Sequence, residues 1–178
     1  NGVDIAIRGL GFELQSSSLI QVPLCQTRWQ FLASPRLLSQ YAPLTTFEQL
    51  QALPILLLES EYKAIYTLSM VKPNGQQEAF QTKPLFRTDN VRLLKQATLA
   101  GLGVVAMPTY LCQQELASGQ LVCVLPDYYP KSGKLVMLYP SKKGLALNIK
   151  TFVEYLKIEI PKAVLLAETG GVSPRTVG

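Results

Sequence analysis

The residues able to do chemistry are few, and their types favour binding over bond-making. The 178-residue chain holds no histidine, which removes the usual general base, the Ser-His-Asp arrangement and any histidine-based metal site. Its 12 carboxylates form no closely spaced pair on a turn. Ser60 with Lys63 and Ser141 with Lys142 are drawable as Ser-Lys dyads, but neither pair sits in a catalytic motif. Gly101-Leu102-Gly103 leads from helix into strand, the reverse of the order that cradles phosphate. Cys25, Cys112 and Cys123 are odd in number and lack metal-ligand spacing. Buried, reduced thiols are the expectation, with a redox role as the alternative. No enzyme, cofactor or metal centre is indicated. What remains are residues at strand ends and helix starts: Arg8 and Gly9, Ser34 and Pro35, Thr88 and Asp89, Met107 and Pro108. Backbone N–H groups at such positions are free to meet a ligand.

The stretch from Leu85 to Leu111 must position half of these residues. Thr88 or Asp89 is placed to cap a helix. Val91, Leu93, Leu94, Ala97 and Ala100 fall on one broad face, with Arg92, Lys95 and Gln96 opposite. Leu99 lies among the polar residues, which makes it either a tolerated exposed leucine or a dimer contact. Gly101 suits the left-handed position that closes a helix. Val104 to Met107 reads as a short buried strand, and Pro108 as the first turn of a further helix. The whole is a parallel β-α-β unit.

Around this unit, Val3 to Arg8 reads as a strand that Gly9-Leu10-Gly11 turns away from, so Arg8 is expected at its end. Leu19 to Leu32 is one long extended run. Ser34 caps a short helix with Pro35 at its first position. Thr45 and Glu48 form a capping box, and Ile55 to Leu58 is a core strand. Asn74-Gly75 between two extended runs signals a hairpin, expected as surface decoration. A helix runs from Tyr110 through Ala117 and a strand from Leu121 to Leu125, followed by a loop carrying Tyr128 and Tyr129. Ile149, Phe152, Val153 and Leu156 form one apolar stripe on a final helix. From Pro161 onward a flexible tail is expected, apart from Ala163 to Ala167, which are able to dock.

Hydrophobic residues make up 48% of the chain and charged ones 16%, which excludes a disordered chain. No apolar run approaches the ~20 residues of a membrane span, and no signal pattern opens the sequence. The net charge of +5 is scattered. Lys131/Lys134 and Lys142/Lys143 come nearest to clusters and read as solvated loops rather than a nucleic-acid surface.

Thr88-Asp89 followed by Ala97-Thr98-Leu99-Ala100-Gly101-Leu102-Gly103-Val104-Val105-Ala106-Met107-Pro108 resembles the effector-domain signature of LysR-type transcriptional regulators. Asp4 to Arg8, Leu32 to Leu38, and Leu121 to Pro126 with Leu138 to Ser141 and Phe152 to Leu156 resemble further family segments in the right order. The resemblance implies an α/β fold of two subdomains of the type II periplasmic-binding-protein kind. They are joined by two crossover strands near Thr27 and Lys134. Residues 1–27 and 136–160 would form subdomain I, incomplete at its start, residues 28–135 subdomain II, and residues 161–178 the tail. It also implies a small, often anionic effector in the cleft between subdomains, with Arg8 offering a guanidinium fork. A surface arginine and plain capping residues are the alternatives for Arg8, Thr88 and Asp89. The implied partners are a homodimer or tetramer, and DNA only through an absent N-terminal helix-turn-helix domain; the implied setting is cytoplasmic, with no membrane contact. The alternative is a periplasmic solute-binding protein of a transport system.

Overall fold

The computed structural model describes residues 5–10, 19–59, 61–130, 133–140 and 147–169. In chain order its strands are β1 (Ala6–Leu10), β2 (Ile20–Thr27), β3 (Trp29–Ala33), β4 (Ile55–Leu58), β5 (Tyr66–Val71), β6 (Gln77–Thr82), β7 (Phe86–Thr88), β8 (Val104–Pro108), β9 (Val122–Val124), β10 (Tyr129–Pro130) and β11 (Gly133–Tyr139). The helices are α1 (Pro35–Leu38), α2 (Val91–Leu99), α3 (Gln113–Ala117) and α4 (Leu147–Glu168), with 3-10 turns at Glu48–Ala52 and Thr109–Leu111. The chain divides into two compact units, Asn1–Arg28 with Ser132–Gly178, and Trp29–Lys131. The long extended run is therefore two strands that part company around Arg28, β2 serving one sheet and β3 another.

The first unit is an antiparallel sheet in the order β1-β11-β2. Met137 and Tyr139 on β11 pack against Val153 and Leu156 of α4, with Ile149 and Ile160 half-buried alongside. Phe152, expected on this stripe, is half exposed instead. The helix also runs past the expected end at Pro161 to Glu168. Val164 continues the buried stripe, and its burial helps offset the backbone bond that an internal proline forfeits. Residues 170–178 lie outside the described residues.

The second unit holds a five-stranded sheet in the order β7-β4-β8-β3-β9, with β7 and β8 both parallel to the β4 between them and β3 antiparallel to β8. The β-α-β reading thus stands, with β4 intervening. A smaller sheet, β10-β5-β6, carries the Asn74-Gly75 hairpin, where Gly75 takes the left-handed φ of 83°. The hairpin is no decoration. Its alternation buries Leu68, Met70 and Phe80 in the core, with Phe80 and Phe31 at ring-centroid distances of 5.0 and 5.7 Å from Phe47. Tyr128 packs on the same core and Tyr129 lies in β10, so neither sits in a free loop.

The other face of the large sheet is covered by α2, whose burial phase differs from expectation. Leu94, Ala97 and Thr98 are buried, Val91 and Leu99 are half-buried against that core, and Leu93 and Ala100 are exposed. Thr98 is tolerated inside because its hydroxyl donates to the Leu94 carbonyl at 2.8 Å. Leu99 is therefore a core contact and not a free surface leucine. The expected capping box also differs, since the Gln49 side chain accepts from the Thr45 and Thr46 N–H groups at 2.7 and 3.0 Å. That extra residue of reach suits the tighter 3-10 turn that forms here.

Candidate ligand-binding site

Strand direction decides which candidate residues meet. Leu58 pairs with Thr88, Trp29 with Pro108 and Gln30 with Met107, so one edge of the large sheet gathers Thr88, Asp89, Pro108 and the start of β3. Because β3 runs against β8, Ser34 follows its far end, beside the starts of β4 and β8. Roughly 13 Å of strand separates the two edges. Ser34 and Pro35 are thus not brought together with Thr88, Asp89, Met107 and Pro108. Arg8 and Gly9 belong to the first unit, and Arg8 lies within β1, exposed and opposite Val136, rather than at a strand end.

At its own edge Ser34 is buried and its Oγ accepts the Leu37 N–H at 3.3 Å, capping a helix of four residues as expected. At the opposite edge the cap is Asn90, not Thr88 or Asp89. Asn90 immediately precedes the helix with extended φ,ψ, and its Oδ1 accepts from the Arg92 and Leu93 N–H groups at 3.1 Å each. Its carbonyl takes the Leu94 N–H. Thr88 Oγ1 in turn accepts the Asn90 N–H at 3.0 Å. The first-turn donors of α2 are thereby largely consumed. Asp89 is exposed and Thr88 half-buried, so their side chains stay at the surface of the edge.

Met107 is fully buried, with Cys112 Sγ 3.1 Å from its Sδ; its side chain belongs to the core. After Pro108 comes a 3-10 turn and then α3, in place of one helix from Tyr110, and Cys112 sits at their junction. Lys95 reaches from α2 to Glu115 of α3 at 2.7 Å and to the Leu111 carbonyl at 3.1 Å. The hydrogen bond from Lys95 holds the Glu115 carboxyl below its ordinary pKa.

Gln30 is the residue that sequence reasoning missed. It is only 7% exposed, and its Oε1 has no hydrogen-bond partner. The signal was available as one amide within the otherwise apolar Trp29-Gln30-Phe31-Leu32-Ala33 strand.

The three cysteines are free thiols. Burial pushes Cys112 up to about 11. It also raises Cys25, which Glu168 raises further, and the crowded surroundings of Cys123 raise its thiol although that residue is open to solvent. All three shifts lower the thiolate fraction. Ser60, Ser141, Lys131, Lys142 and Lys143 fall outside the described residues. Among the described residues no cluster of metal-ligating side chains occurs, and no helix is long and apolar enough to cross a membrane.

Residues 1–160 match the family model of the LysR substrate binding domain. The chain belongs to that family. The HTH-type transcriptional regulator CrgA of Neisseria meningitidis serogroup B is 26% identical over 159 residues, which cover 89% of this chain and 52% of that protein. The HTH-type transcriptional regulator DmlR of Escherichia coli K12 is 26% identical over 156 residues, covering 88% and 50%. The chain spans about half the length of these curated relatives. The solved regulatory domain of CrgA from Neisseria meningitidis superposes with a TM-score of 0.71 at 26% identity, covering 88% of this chain and 75% of that one. The effector domain of AmpR of Pseudomonas aeruginosa, at 16% identity and a TM-score of 0.65 over 96% of this chain and 77% of that one, shares the fold. The LysR substrate-binding domain thus has the mixed α/β architecture of the type II periplasmic-binding-protein kind. The relatives are named as transcriptional regulators, not enzymes.

Proposed function

We propose that this domain senses a small, anionic metabolite for a cytoplasmic bacterial LysR-type regulator that acts as a homodimer or tetramer. DNA is contacted through a helix-turn-helix head elsewhere in the full protein. The match of residues 1–160 to the LysR substrate-binding model carries this reading. The effector meets the edge formed by Thr88, Asp89 and Pro108 of the second unit; Arg8 and Gly9 are candidate anion contacts on the family resemblance alone. Ser34 and Pro35 have a structural part only, and Met107 contributes through its backbone. Ligand acts by binding two arrangements of the regulator unequally, since equal affinity shifts nothing.

A thermal-shift screen of small carboxylates, sugars and aromatic acids tests this, because a ligand of the folded state raises the midpoint by mass action. The expected outcome is a hit that weakens in both Thr88→Ala and Arg8→Ala and survives Ser34→Ala. A hit indifferent to the first two variants removes the edge from the site.

A further inference from the structure

We infer that Gln30 is a specificity-determining residue, whose side-chain oxygen accepts a hydrogen bond from a hydroxyl or N–H of the ligand. The inference rests on the reading of the Thr88–Pro108 edge as the ligand site. Three observations carry it. Gln30 is more than nine-tenths buried, its Oε1 is without a partner among the described residues, and the register sets it directly beside Met107 and one residue from the Trp29–Pro108 pair that closes this edge. Alternation places its side chain on the same face as Leu32, the face whose core includes Met107. Leu58 and Thr88 continue the same level of the sheet across β4 and β7. The row therefore has polar ends, Gln30 and Thr88, and an apolar middle.

A buried amide oxygen left unpaired costs stability in the ligand-free domain. An apolar residue of similar length, such as methionine, would avoid that cost in an otherwise apolar strand. An uncharged acceptor does not discriminate for anions; it selects a donor. The ligand implied is an acid or amide that also carries a hydroxyl or N–H group, and its deoxy counterpart should be rejected. Sites built to hydrogen-bond a ligand hydroxyl discriminate strongly, because the analogue leaves the site's own group unmet.

The test uses the full chain and Gln30→Met, with Gln30→Leu as a second apolar variant. Ligand-free Gln30→Met should melt ~2–4 °C higher than wild type; an unchanged or lower midpoint in both variants means the oxygen is already satisfied, and overturns the proposal without any ligand. The second arm titrates matched pairs, lactate against propionate and 4-hydroxybenzoate against benzoate. Backbone amide resonances of Thr88, Asn90 and Thr109 are followed by NMR. At least one hydroxylated member should bind about tenfold more tightly than its partner, and the preference should vanish in Gln30→Met. Equal binding of both members, or a preference that survives in the variant, overturns the role of Gln30 and leaves the edge as the ligand site. If no probe of either kind moves the edge resonances, the edge reading falls and the Gln30 assignment falls with it.

Discussion

The two edges of the large sheet use similar residues to opposite ends. At the edge near Ser34, the serine and the glycines beside it are closed in, although Pro35 and Leu102 stay exposed. Ser34 Oγ is spent on its own helix, and a Cβ added to Gly101 would lie 3.3 Å from it. A Cβ on Gly103 would meet the Pro54 carbonyl at 2.6 Å and Leu56 at 2.9 Å. At the edge near Thr88, Asp89 is exposed, Thr88 is half-buried and a buried amide oxygen goes unmet. A short polar side chain before a helix therefore says little about ligands until its edge is known. One edge is packed for stability and the other is left with unused polar capacity.

Gly103→Ala should break the closed edge most severely, since the new methyl meets backbone that cannot swing aside. A loss of about 3 kcal/mol in urea unfolding is expected; a loss under 1 kcal/mol would show that the edge relaxes easily. Next come the caps. Ser34→Ala and Asn90→Ala should each cost ~1 kcal/mol. Any ligand bound by wild type should bind Ser34→Ala unchanged, measured by calorimetry, and a selective loss of binding there would erase the contrast between edges.

A smaller effect is expected at the Lys95–Glu115 pair, which ties α2 to α3. The Glu115 carboxyl is held down in the folded state, so its contribution is present above the unfolded glutamate pKa of about 4.3 and is lost as pH falls through the lower folded value. Glu115→Gln should therefore melt below wild type at neutral pH, and the gap should close on acidification. A gap that is constant with pH would mean that the pair contributes packing rather than charge. Smallest of all, Asp89→Ala should move stability by no more than about 0.5 kcal/mol, because the side chain is exposed and caps nothing. If it costs as much as Asn90→Ala, the assignment of the cap is wrong.

Local chemistry was legible in part, since the caps of α2 and of the Glu48–Ala52 turn fell one residue from their expected positions. Ser34 with Pro35 caps its helix as read, Gly101 takes a φ of 80°, and Asn74-Gly75 turns the hairpin. Each depends on atoms within a few positions along the chain. The effector signature was readable for the same reason, and it identified the family. The larger errors arose where distant segments meet. α2 turned a different face inward because Thr98 found an acceptor in its own helix and Leu99 met the core of the sheet. The hairpin joins the core through Leu68, Met70 and Phe80, whose ring lies 5.0 Å from that of Phe47.

Most consequential is the direction of β3. Nothing within Trp29 to Ala33 states whether the strand runs with or against β8, yet that one fact moves Ser34 away from Thr88 and brings Gln30 beside Met107. Hydrophobic spacing and caps therefore determined what the pieces of this protein are. Pairing between segments far apart in the chain decided which polar groups share an edge, because hydrogen-bonded register is a property of two strands and cannot be written in either one.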